Sequence, residues 1–222
     1  MSLSHTQYGE ATAPNTKALR FAHQVLQAAQ VLDPEVEQAL FVAFRDVQRS
    51  LFVPEHLSVR AFENVPLPSI DGLREPRPSL VARVLGLVGP FRYQRILEIG
   101  VGSGYRCALL SALGAQVFAL ESSRALSQRV RKRLDQMDYS DVILRATPAL
   151  TGFEHDAPFD AVLCWQPLVE PPLEVLEQLD VSSGSAVFFL ISGDRIRLSL
   201  VERTPNGFER FTFEDCTEDF GK

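Results

Sequence analysis

Cysteine is scarce in this chain, and long apolar runs and a positive surplus are missing altogether. Three cysteines stand among 222 residues, Cys107, Cys164 and Cys216. They are odd in number and far apart, so neither a disulfide framework nor a Cys-x-x-Cys metal site is indicated, and reduced thiols are expected. No apolar run approaches the ~20 residues needed to span a bilayer, and no basic stretch followed by a short apolar one opens the sequence. A cytoplasmic protein without a membrane partner is the expectation. Acidic residues outnumber basic ones 28 to 22, a formal charge of -6, and a diffuse surplus of that sign argues against a nucleic-acid-binding surface. There is no P-loop lysine, no Gly-x-Ser-x-Gly elbow and no cluster of metal ligands. His56 and His155 form no nucleophile-base pair.

What is present suits a globular protein with one core: 45% hydrophobic and 23% charged residues, long enough for one compact domain with an extension. Residues 1–15 are polar and expected to be a flexible terminus. Residues 16–90 read as N-terminal helices and a loop beside the substrate, and 91–222 as the core. Leu19, Ala22, Val25, Leu26 and Ala29 recur at helical spacing, and Asp33-Pro34 reads as the cap and first turn of a second helix carrying Val36, Leu40, Ala43, Phe44 and Val47. From Phe52 to Pro78 five prolines imply an extended, loop-rich lid. Ser79 is the expected cap of a third helix, which Gly89-Pro90 ends.

After Pro90 short apolar runs alternate with helical stripes. Strands are expected at 95–99, 116–121, 141–146, 159–165 and 186–191, with helices at 104–113, 123–136 and 173–179. That alternation predicts parallel strands with crossover helices. Two amphipathic strands, 195–202 and 208–213, flank Pro205-Asn206-Gly207 as an antiparallel edge hairpin. The fold class is α/β, a three-layer, doubly wound, seven-stranded and mostly parallel sheet. The basic run Arg129, Arg131, Lys132 and Arg133 reads as a solvated helix face.

The densest signal is Leu97-Glu98-Ile99-Gly100-Val101-Gly102-Ser103-Gly104-Tyr105, with Glu121 one strand later. A dinucleotide fold needs a differently spaced third glycine, whereas Glu-x-Gly-x-Gly-x-Gly resembles the first motif of S-adenosylmethionine-dependent methyltransferases. Glycines let a strand turn into a helix at positive φ and let a cofactor approach the backbone. Glu121 is placed to accept hydrogen bonds from both ribose hydroxyls, each charged bond contributing roughly 1.5 to 3 kcal/mol before desolvation. Glu98 is expected beneath the loop, near the cofactor's ammonium group. Ser103, Tyr105, Ser122, Ala146 and Thr147 complete the expected cofactor set.

With these residues the chain resembles the protein-L-isoaspartate O-methyltransferase family from about Val31 to Phe213. Arg49-Ser50-Leu51-Phe52-Val53-Pro54-Glu55 is similar to the family's approach to its substrate loop, and Pro66-Leu67-Pro68 precedes that loop. Pro158-Phe159-Asp160, Pro172, Leu176 and Leu179 extend the likeness. The resemblance implies S-adenosylmethionine as methyl donor, a carboxylate of isoaspartyl residues in a protein or peptide as acceptor, and a role in protein repair. The family loop usually reads Gly-Gln-Thr-Ile-Ser-x-Pro; here it is Gly72-Leu73-Arg74-Glu75-Pro76-Arg77-Pro78, with Pro76 at the serine position and Arg74 at the threonine. Arg145-Ala146-Thr147-Pro148 stands where Gly-Asp-Gly is common. Acceptor-side candidates are Arg74, Glu75, Arg77, Trp165 and Gln166. Arg74 or Arg77 either grips an acceptor carboxylate or pairs with Glu75 or Asp71. Another peptide or small-molecule acceptor, or a non-catalytic binding role, remains open, and nothing in the sequence sets an oligomeric state.

Overall fold

The computed structural model describes residues 16–221, so the expected flexible terminus, 1–15, lies outside the described residues. Helices α1 (Thr16–Ala29) and α2 (Pro34–Asp46) come first. Asp33 caps α2 as its sequence implies: its Oδ1 accepts from the N–H groups of Glu35 at 2.8 Å and Val36 at 3.0 Å. Two of the otherwise orphaned first-turn amides are thereby satisfied, a contribution of about 1 kcal/mol.

The segment that follows departs from the extended lid expected of its prolines. Arg49–Leu51 and Glu55–Phe62 wind into 3-10 turns. The Arg49 guanidinium is buried and donates to the carbonyls of Ala61, Glu63 and Val65, which gathers the end of the second turn and the chain just after it around one cation. Two-residue strands β1 (Leu67–Pro68) and β2 (Arg74–Glu75) then pair antiparallel. Helix α3 (Pro78–Val88) starts two residues earlier than expected, so Ser79 is inside its first turn instead of capping it. The capping acceptor is Asn64, whose Oδ1 takes the Ser79 N–H at 2.9 Å.

Strands β3 (Arg95–Ile99) and β4 (Gln116–Glu121) have the expected bounds, with α4 (Tyr105–Ala112) between them. There follow α5 (Arg124–Gln136), β5 (Ile143–Ala146), β6 (Ala161–Leu168), α6 (Leu173–Leu176), β7 (Ser185–Ser192), β8 (Arg195–Thr204) and β9 (Gly207–Asp215). The helix expected to reach Leu179 stops at Leu176 because Leu179 instead pairs with Phe159 in an isolated parallel bridge. That same bridge precedes β6, which starts at Ala161 and runs on to Leu168. Its register against β7 shifts between Leu163 and Pro167, where proline has no N–H for the ladder.

The main sheet has seven strands in the order β5-β4-β3-β6-β7-β8-β9, parallel through β7 and antiparallel across β8 and β9. Alternation along β3 sends Ile96 into a core shared with α1, α2, α3, α4 and α5, and Leu97 and Ile99 into a second core shared with α6 and Phe153. Strand order reverses between β3 and β6. An open α/β sheet presents its ligand crevice at the carboxyl ends of the strands flanking such a reversal. Among the described residues no helix is long and apolar enough to cross a membrane.

Candidate functional site

The turn leaving β3 carries Gly100, Gly102 and Gly104 at φ +85°, +55° and +88°, values that residues with a Cβ rarely adopt. The three have different neighbours. A Cβ on Gly104 would fall 2.8 Å from Val130 Cγ1 on α5, so this glycine lets the helices close. A Cβ on Gly100 would meet Gln166 Cγ at 3.3 Å, and one on Gly102 would fall 2.5 Å from Glu75 Oε1. Gly100 and Gly102 line a cavity of about 490 Å³ together with Glu121, Ser122, Trp165 and Gln166. Leu73, Arg74, Pro76, Arg106, Arg129 and Phe220 contribute further wall. The volume is within the usual range for a small-molecule site.

Glu121, at the end of β4, is 6% exposed. Its Oε1 accepts from the Ser123 N–H at 2.8 Å and the Ser122 hydroxyl at 3.3 Å. Both bonds end on one oxygen, so Oε2 is left for a ligand in the cavity. Tyr105 faces away from it: its ring packs 5.3 Å from Phe52 and 6.4 Å from Phe44, and burial pushes its hydroxyl pKa up. Ala146, which ends β5, is exposed and Thr147, just past it, is half-buried, both outside the cavity wall; the Thr147 N–H donates to the Glu121 carbonyl at 2.9 Å.

Beneath the turn lies a buried ionic triad. Arg106, 3% exposed, donates from Nε to Glu98 Oε1 at 3.0 Å, from Nη1 to Glu75 Oε2, and from Nη2 to the Gly100 carbonyl at 2.7 Å. The second Glu98 oxygen accepts from the Cys107 thiol at 3.0 Å. Glu98 is fully buried with both oxygens engaged, so the expected approach of a ligand's ammonium to it gives way to an internal cation. Arg106 has two carboxylates and keeps its proton more firmly than usual. Glu98 shares that single cation, and its loss of hydration outweighs the attraction, so its carboxyl is pushed above the ordinary range. Cys107 is likewise pushed up by burial beside Glu98.

Glu75, expected on the acceptor side, reaches into the glycine turn instead: its Oε1 accepts from the Ser103 N–H at 2.6 Å. Arg74 borders the cavity and Arg77 does not, and neither pairs with Glu75 or Asp71. Arg74 donates to the carbonyls of Glu218 and Asp219 at 2.9 and 3.1 Å. Arg77 pairs with the buried Asp219 carboxylate, which also accepts the Arg77 N–H at 2.8 Å. These bonds hold the 3-10 turn Thr217–Phe220 over the site, with the Phe220 ring 4.7 Å from Phe189. The basic run on α5 is not uniformly solvated either. Arg129 and Arg133 both pair with Asp71, at 2.8 and 2.9 Å, and Arg133 donates to the Ser103 carbonyl at 2.7 Å. Trp165 stacks over Arg106 at 4.5 Å, and its indole N–H is buried without a partner among the described residues.

Arg106 is the residue the sequence reading passed over. Its signal is an arginine in the otherwise apolar first turn of a helix that follows a strand-end glutamate. Phe220 carried no local signal, because its place in the wall depends on contacts with β2 and β7.

The family model described as Protein-L-isoaspartate(D-aspartate) O-methyltransferase matches residues 23–212. Protein-L-isoaspartate O-methyltransferase 1 of Marinobacter nauticus is 35% identical over 168 residues, 76% of each chain. The protein-L-isoaspartate O-methyltransferase of Yersinia enterocolitica is 34% identical over 178 residues, 80% of this chain and 85% of that one. Among solved structures, a protein-L-isoaspartate O-methyltransferase superposes with a TM-score of 0.74 at 20% identity, covering 87% of this chain and 63% of that longer one. One from Plasmodium falciparum, in complex with S-adenosyl-L-homocysteine, gives 0.71 at 14% identity over 89% and 94%. These two structural likenesses establish the fold.

Proposed function

The chain belongs to the protein-L-isoaspartate O-methyltransferase family, and on that premise we propose that it transfers a methyl group from S-adenosylmethionine to the carboxylate of isoaspartyl residues in proteins or peptides. The observation that carries this reading is the cavity between the glycine turn and Glu121. At the ribose end the residues fit: Glu121 is held rigidly by Ser122 and Ser123 and keeps one oxygen for the two hydroxyls. The absence of a Cβ at Gly100 leaves the backbone open beside Gln166.

Bound there, the cofactor supplies a sulfonium methyl, an electrophile that needs no activation by the protein. A carboxylate acceptor with an ordinary pKa of about 4 is ionised at neutral pH, so the chain needs no general base. Its work is to bring the acceptor oxygen into line and exclude water. Trp165, Pro76 and Phe220 provide apolar wall for the second task, and Gln166 an amide for the first. On this reading the acceptor is a protein or peptide segment entering beside Leu73 and Pro76, which border the cavity.

One observation favours a second reading. Pro76 removes the family's loop hydroxyl and both loop arginines are committed to the 217–220 turn, so a different acceptor remains compatible with the same donor. The deciding experiment is calorimetric titration with S-adenosylhomocysteine followed by methylation of an isoaspartyl peptide. Cofactor binding with ester formation is expected. Binding without ester formation sinks the isoaspartyl acceptor, and a Glu121→Gln variant that binds the cofactor as tightly as the parent sinks the ribose assignment.

A further inference from the structure

Glu75 occupies a place in the glycine turn that has the chemistry of a ligand seat. We infer that this seat receives the cofactor's amino-acid carboxylate, and that Glu75 is a built-in stand-in which vacates it when the cofactor is held. The inference rests on the reading that the cavity takes S-adenosylmethionine.

The seat consists of a backbone N–H, from Ser103 at 2.6 Å, and the Arg106 guanidinium. An N–H and an arginine converging on one anion are a recurrent way of holding a carboxylate. The position is set by Gly102, since Glu75 Oε1 lies 2.5 Å from where any larger residue would place its Cβ. Gly102 and Arg106, which border the seat, line the same cavity as Glu121, so a single ligand could reach both.

Arg106 does not depend on Glu75 for its position. Glu98 at 3.0 Å, the Gly100 carbonyl at 2.7 Å and the Trp165 ring at 4.5 Å hold it from other sides. Glu75, by contrast, comes from a strand of two residues with one partner strand. Occupancy then requires exchange. Glu75 already takes both donors of the seat, the Ser103 N–H and Arg106 Nη1, so an incoming carboxylate can be held there only where Glu75 has left.

A ligand that must displace an internal occupant binds with an apparent affinity reduced by the fraction of molecules in which the seat is free. The test compares S-adenosylhomocysteine with 5′-methylthioadenosine, which retains the adenosine and thioether but lacks the amino-acid carboxylate. Calorimetry on the parent, Glu75→Ala and Glu75→Gln should show S-adenosylhomocysteine tightened about tenfold or more by Glu75→Ala, less by Glu75→Gln, with methylthioadenosine unchanged. An unchanged Kd for S-adenosylhomocysteine, or a loss shared equally by both ligands, overturns the inference and makes Glu75 a brace. Should thermal melts show that the variants do not fold, a crystal structure of the parent with S-adenosylhomocysteine decides: Glu75 still on the Ser103 N–H overturns it, and Glu75 displaced supports it. If the parent binds neither nucleoside, the cavity reading itself fails and takes this inference with it.

Discussion

Arg106→Met is the sharpest perturbation of this fold. The guanidinium is 3% exposed and, among the described residues, is the one cation paired with Glu98, which is itself fully buried, while Glu75 is 5% exposed. Removing it leaves two carboxylates inside the protein with one backbone N–H and one thiol to satisfy them. Breaking a buried ion pair from one side typically costs about 3–5 kcal/mol. At roughly 2–4 °C per kcal/mol for a chain of this size, the expected fall in Tm is about 6–20 °C, measured by far-UV circular dichroism at pH 8. The penalty comes from uncompensated negative charge, so the deficit should shrink as the pH is lowered toward 5. Burial already holds the Glu98 carboxyl above its ordinary range and Arg106 is what opposes that, so without Arg106 the native state binds a proton there more readily than the unfolded chain. Replacing all three residues by methionine should recover most of the loss, because an apolar cluster of similar volume has no charge to desolvate. A Tm within about 2 °C of the parent at pH 8, or a deficit that does not change with pH, refutes the reasoning and makes the triad a solvated contact.

Three further outcomes follow from the geometry. Gly102→Ala forces an L-residue to φ +55° with its Cβ 2.5 Å from Glu75 Oε1; a loss of about 1–2 kcal/mol from the backbone alone should appear in thermal melts, and an unchanged Tm contradicts it. Burial holds the Glu98 carboxyl above its ordinary 4.5, so the folded state keeps this proton longer than the unfolded one. Its contribution to stability is therefore full below pH 4.5 and falls as pH rises through the folded pKa; relative to Glu98→Gln, the parent should lose stability over that window in urea titrations, and parallel profiles count against the shift. Asp219→Asn removes the charge that Arg77 pairs with, so limited proteolysis should cut the 217–220 turn faster than in the parent, and an identical digestion pattern would exclude a latch there.

The sheet was legible because its signals are local. The apolar runs of β3 and β4 are bounded by turn residues, and period two along β3 already places Glu98 on the face of the following helix. Glu121 could be read for the same reason, as the last residue of the next strand. What Glu98 touches could not be read, since the partner depends on the rotational phase of α4 against the sheet. The turn Glu55–Phe62 was hidden by the prolines on either side, and its organiser, Arg49, reaches carbonyls 12 to 16 residues away. Arg74 and Arg77 were legible as an altered loop but not as anchors, because their acceptors are 142 to 145 residues further along the chain.

That separation also sets an order of events in time. Contacts between distant residues form late, after the chain between them has been organised. The wall braced by Arg77 and Asp219 and carrying Phe220 cannot close until β7, β8 and β9 have added to the sheet, whereas the turn at Gly100–Gly104 is set mainly by β3, α4, β4 and α5, which adjoin one another in sequence. A refolding chain should therefore acquire the glycine-turn and Glu121 side of its cavity first and the side covered by the 217–220 turn last.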